Sequence, residues 1–169
     1  MSKKLTLIIG VTVGIVGLGL LLLYAEPKAG ENTKTDISHS EQTSKLKSDL
    51  YAYDFGTISM KNGKVTKSFK ISNTENTPVM VKKVYTSCMC TDALLRIGSQ
   101  SFGPYGMLSH GFAPEVNQAI QPNQEATIDV TFDPNAHGPS GIGVIERVVS
   151  VEQADGSKLT LNIKANVTP

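Results

Sequence analysis

Leu159, Leu161, Ile163, Ala165 and Val167 are separated by single polar residues. Ala126, Ile128, Val130 and Phe132 alternate in the same way with Thr127, Asp129 and Thr131. A period of two places every apolar side chain on one face of an extended strand. No stretch after residue 50 carries a helix period. The pattern therefore restricts the chain to short strands with one buried face.

Upstream, Tyr53–Ile58 reads as an edge strand. Asn62-Gly63 is a hairpin-type turn signal, and Val65, Phe69 and Ile71 follow at even spacing. Asn73–Pro78 is a turn by composition, and Val79, Val81 and Val84 lead the next strand, with a bulge expected at Lys82-Lys83. Pro122–Glu125 is a further turn. Val144–Glu152 is β-branched, and Asp155-Gly156 turns the chain into its last strand. Several short strands at turn-punctuated intervals indicate an all-β fold of the β-sandwich class.

Ahead of this domain, Lys3 and Lys4 precede a run without charge from Leu5 to Tyr24. A helix of roughly 20 apolar residues crosses a bilayer core, and basic residues in front of it favour a cytoplasmic N-terminus. The expected organisation is a cytoplasmic tip and single transmembrane helix over 1–25, a flexible polar stalk over 26–50, and an extracytoplasmic sandwich over 51–169. The alternative is a signal peptide cleaved after Ala25, which would release a secreted domain. Its apolar run exceeds the usual signal length, and Leu23 fits the small-residue cleavage pattern poorly. The membrane is thus an expected partner. Nucleic acid is not, because 16 Lys+Arg against 15 Asp+Glu leave no basic excess to neutralise phosphates.

One region breaks the rhythm. Residues 96–120 are rich in Gly, Pro and Ser and show no strand pattern. A long irregular loop in a compact domain is usually functional. Phe102, Tyr105 and Phe112 are its candidate binding surface for an envelope protein.

The only two cysteines, Cys88 and Cys90, sit just before that region. Three readings compete for them. They can be small buried side chains, or a Cys88–Cys90 disulfide, at the end of a strand. In an extended strand, residues two apart stand about 6.5–7 Å from one another, so a disulfide needs a local turn. They can be half of a soft-metal site for copper(I), completed from Met89, Met107, His110 and His137. They can also serve thiol–disulfide redox chemistry, although the spacing is not that of a thioredoxin-like pair. Gly-x-Ser-x-Gly, phosphate-loop and His-Glu-x-x-His patterns are absent, so no catalytic residues are assigned.

The stretches Tyr53–Ile58, Phe69–Asn73 and Val84–Thr91, with Pro122–Gln124, Ile128–Pro134 and Leu159–Val167, together resemble a bacterial family of exported domains. It is domain-of-unknown-function family 1573, similar to Hydin-type immunoglobulin-like domains. The resemblance implies an immunoglobulin-like sandwich outside the cytoplasm and carries no activity. Met89 stands where the family pattern has Gly, so a turn that requires glycine between the cysteines is not expected. The leading functional expectation is a non-enzymatic, envelope-anchored binding or assembly module. The alternatives are copper(I) binding or delivery and a thiol/disulfide role through Cys88 and Cys90.

Overall fold

The computed structural model describes residues 44–108 and 113–169. These residues form ten strands: β1 (Leu46–Ser48), β2 (Ala52–Ser59), β3 (Val65–Asn73), β4 (Val79–Thr86), β5 (Thr91–Ile97), β6 (Gln100–Tyr105), β7 (Glu115–Ile120), β8 (Glu125–Phe132), β9 (Gly143–Gln153) and β10 (Lys158–Thr168). One sheet runs β1-β3-β8-β5-β6 and the other β2-β10-β9-β4-β7. The described residues contain no α-helix, only short 3-10 turns at Met60–Asn62 and Gly138–Gly141.

The alternation read from the sequence is the inner face of this sandwich. On β10 the five apolar residues are buried and the intervening ones exposed. On β8, Ala126, Ile128, Val130 and Phe132 are buried. Facing rows from β3, β4 and β9 complete the core, with Phe69, Val84 and Val149 fully excluded from solvent. Each such side chain contributes roughly 1.5–3 kcal/mol through burial, which is why a chain without Trp still closes two sheets. β2 is an edge strand, and it pairs parallel with β10 while the other strand pairs are antiparallel. The bulge expected at Lys82-Lys83 is present, as a register shift between Val81 and Lys83.

Two stretches differ from the expectation. Strand structure begins at Leu46, inside the stretch read as stalk. β1 pairs with β3, and Leu46 is fully buried. Leu46 and Leu50 are the residues of that polar run expected to begin packing against the domain; Leu46 does so, while Leu50 stays exposed, and two isolated leucines carry no strand period. The supposed irregular segment 96–120 contains the end of β5, all of β6 and all of β7. β6 was hidden by Gly103-Pro104. Proline is tolerated there because β6 is an edge strand. Gly103 has φ 113°, and a Cβ on it would lie 2.9 Å from the Tyr105 ring. β7 was hidden because Asn117, at φ 47°, interrupts its alternation. The apolar run Leu5–Tyr24, with the expected transmembrane helix and most of the stalk, lies outside the described residues. Within the described residues no helix is long and apolar enough to cross a membrane.

Asn73, fully buried at the end of β3, ties three segments together. Its amide donates to the Thr77 and Ile120 carbonyls, each at 2.9 Å, and its carbonyl accepts from the Glu75 amide. Asn73→Ala leaves those backbone groups without a partner, and an unmade buried hydrogen bond costs about 1–3 kcal/mol. Urea denaturation of the variant is expected to show that loss with an unchanged dependence on denaturant.

Candidate functional site

The two cysteines occupy one of the connections that carry the chain from one sheet to the other. β4 ends at Thr86 in one sheet and β5 begins at Thr91 in the second. Between them the chain makes a tight turn, closed by the Thr91 amide donating to the Cys88 carbonyl at 3.1 Å. The buried Thr86 hydroxyl lies 2.9 Å from both the Cys88 and Thr91 carbonyls. Ser87 anchors the turn to β9 through two 2.9 Å hydrogen bonds with the Val148 backbone. The turn needs no glycine, since Asn117 and Asn123 are the only described non-glycine residues with positive φ. Met89 therefore sits between the cysteines without backbone strain. Its side chain, 65% exposed, points into solvent.

This turn supplies the convergence that an extended strand denies. The Cys90 thiol donates to Cys88 Sγ across 2.7 Å, and the Cys90 amide also approaches that sulfur at 3.5 Å. Both cysteines are free thiols. Cys88 is half-buried, whereas Cys90 is 3% exposed and packs into the core.

Another connection between the sheets, from β8 to β9, lies against this turn. The Asp133 amide donates to the Cys90 carbonyl at 2.9 Å, and His137 then places Nε2 3.1 Å from Cys88 Sγ. From β9, Arg147 Nε donates to Cys90 Sγ at 3.1 Å. Cys88, Cys90 and His137 offer three ligand-type atoms within 4.8 Å of one another.

These contacts split the two thiols electrostatically. Burial pushes the Cys88 thiol up. Hydrogen bonds from the Cys90 thiol and amide, the His137 contact and the Arg147 charge outweigh it and bring Cys88 down to about 7. Cys90 moves the other way. Burial and its hydrogen bond to Cys88 raise it, against the opposing pull of Arg147. The corner therefore pairs an accessible Cys88 that ionises readily with a buried Cys90 that holds its proton more firmly than an ordinary thiol.

Arg147 was not among the residues expected to form the site. It is one of only two arginines, and it interrupts a β-branched run. Ile145, Val149, Val151 and Gln153 are buried at odd positions along β9, and Arg147 occupies the same inward-facing row. A charge at a core position of an alternating strand was the available signal.

Other expected residues fall elsewhere. Met107 is 49% exposed, and its backbone forms an isolated bridge to Thr86. Phe102 and Tyr105 are half-buried on β6 and pack against the core, where burial raises the Tyr105 phenol. His110 and Phe112 lie outside the described residues.

Residues 46–107 match the model of a family described as a protein of unknown function, DUF1573. No curated protein matches the chain. Among solved structures with a similar fold, a protein of unknown function from Porphyromonas gingivalis W83 aligns with a TM-score of 0.53 at 15% identity. That alignment covers 79% of this chain and 51% of the other, so this chain spans about half the length of its structural relative. The ASH/PapD-like domain 7 of human CEP192 aligns with a TM-score of 0.41 at 12% identity, over 75% of this chain and 87% of that one. At these identities the likeness concerns the fold alone.

Proposed function

The matched stretch 46–107 contains both cysteines, and we propose that they make this domain a thiol–disulfide exchange module. The observation that carries the reading is the pairing of an accessible Cys88 with a buried Cys90 whose thiol lies 2.7 Å away. In the exchange, the Cys88 thiolate attacks one sulfur of a partner disulfide. A Cys88–partner mixed disulfide forms and the other partner sulfur leaves as a thiolate. Cys90 gives its proton to that leaving thiolate, with Arg147 stabilising the new Cys90 thiolate. Cys90 then attacks Cys88 Sγ and expels the second partner sulfur. The domain ends as a Cys88–Cys90 disulfide and the partner as one thiol and one thiolate, the latter taking its proton from solvent. The reverse sequence passes the disulfide on to a partner dithiol.

The partner in this reading is an envelope protein that docks through a transient mixed disulfide, so the module acts by binding rather than by turning over a small substrate. Met89, Ile142 and Val144 are exposed apolar side chains on the two connections and the start of β9, and they suit a protein surface better than a small polar thiol. The anchor belongs to the same proposal. A helix over Leu5–Tyr24 would hold the domain outside the cytoplasm, where disulfides form and persist.

Alkylation tests the roles. With Cys88 at about 7, roughly half of it is thiolate at neutral pH, against a few per cent for an ordinary thiol. The iodoacetamide rate at Cys88 is expected to rise through pH 7 and level off near pH 8. Cys90, buried and raised, is expected to react on the order of ten-fold more slowly at pH 7. Equal rates, or a Cys88 rate still climbing steeply at pH 9, would remove the assignment of Cys88 as nucleophile.

A further inference from the structure

We propose that the reduced Cys88–Cys90–His137 corner is also a binding site for one soft monovalent metal ion, copper(I), with Arg147 setting the preference for single charge. The proposal requires the two thiols but not their exchange activity.

The donor set argues first. Two sulfurs and one imidazole nitrogen lie within 4.8 Å of one another, on two different connections that the backbone bond from Asp133 to Cys90 holds together. Thiolate is the ligand that copper(I) prefers, and imidazole is compatible with it. A closed zinc site takes four ligands. Among the described residues no carboxylate joins these three.

Charge argues second. Two thiolates, a neutral imidazole and a monovalent ion sum to one negative charge, and the Arg147 guanidinium on Cys90 Sγ neutralises it. A divalent ion on the same ligands is already neutral. The half-buried Arg147 would then face a site with no net negative charge left to offset its own.

Geometry sets one requirement. Ligand arms of about 2.3 Å at a tetrahedral angle put two sulfurs about 3.8 Å apart. The present 2.7 Å separation must therefore open by about 1 Å. Cys90 is held by the core and Arg147, so the half-exposed Cys88 makes the movement, exchanging its hydrogen bond from Cys90 for the metal. Disulfide formation removes both thiolates, so the two uses of the pair exclude each other.

The test uses the full chain in detergent, reduced and anaerobic, titrated with copper(I) against a chromophoric copper(I) chelator and separately with zinc(II). The expected result is one copper(I) retained per chain after gel filtration, weaker zinc(II) retention, and slowed alkylation of both cysteines in the loaded wild-type protein. X-ray absorption of the copper is expected to show sulfur and nitrogen ligands together. Arg147→Gln is expected to weaken copper(I) by about ten-fold or more and to narrow its advantage over zinc(II). The proposal is overturned if a Cys88→Ser/Cys90→Ser variant retains as much copper(I), if zinc(II) binds as tightly as copper(I), or if the loaded wild-type protein alkylates at the unloaded rate. Copper(I) binding without disulfide exchange would sink the exchange reading alone. Exchange without copper(I) retention would sink this one alone.

Discussion

Cys90→Ser is expected to convert the domain from an exchanger into a trap. In the wild-type chain a mixed disulfide at Cys88 is short-lived, because the Cys90 sulfur already lies 2.7 Å from the sulfur it must attack. Holding two reacting groups together is worth effective molarities on the order of 10⁵ M or more in well-oriented cases. Removing the Cys90 sulfur leaves only external thiols to resolve the intermediate. The adduct with a test disulfide should therefore persist at least a thousand-fold longer than in the wild-type protein, on the order expected for losing an intramolecular step. The opposite variant, Cys88→Ser, should form almost no adduct, since Cys90 is buried and its thiol is raised. Mass spectrometry of the intact chains after brief exposure to a disulfide reads both outcomes. Equal adduct lifetimes in Cys90→Ser and the wild-type chain would show that Cys90 does not resolve the intermediate.

The second large effect concerns where the domain begins. Leu46 is fully buried, and removing most of a buried leucine costs about 2–5 kcal/mol through lost transfer energy and the cavity left behind. Leu46→Ala should lower the unfolding free energy by that amount. A fragment starting at Tyr51 should lose more. It also loses the β1–β3 pairing and both partners of the Gln153 side chain, which accepts from the Lys45 amide at 3.2 Å and donates to the Ser44 hydroxyl at 2.7 Å. Gln153 is 1% exposed with Ser44 and Lys45 against it, so the fragment exchanges two enclosed hydrogen bonds for contacts with water. Chemical denaturation of fragments beginning at 40 and at 51 compares them directly. Equal midpoints would mean that β1 is an accessory and not part of the domain.

The fold was legible where a strand has one buried face and a plain turn at each end. β3, β8 and β10 show period two because solvent and core alternate along them. β5 did not show it, since Leu94 and Leu95 are neighbours and only Leu95 is fully buried. Edge strands were harder still. β6 tolerates a Gly-Pro pair and β7 a left-handed Asn117, because each forms hydrogen bonds on one side only.

The site was half legible. Cys88 and Cys90 stand out as the only two cysteines, and His137 is one of several candidate ligands. What joins them is a meeting of two connections at one end of the sandwich, which depends on strand order and has no local signature. Arg147 shows the same limit from the other side. Its charge is visible in the sequence, but its inward direction follows only from the register of β9.

The central claim is that Cys88 and Cys90 of one chain form a reversible pair. The direct measurement is to equilibrate the full chain, in detergent, across a series of reduced and oxidised glutathione mixtures. Each sample is then quenched with acid, alkylated and mapped by mass spectrometry. The expected result is a population that loses two hydrogen atoms on the single peptide carrying Cys88 and Cys90. It should return to the dithiol as the mixture becomes reducing, with glutathione adducts remaining minor. A chain that accumulates glutathione on Cys88 without ever closing to Cys90, or that stays a dithiol in every mixture, would contradict the account.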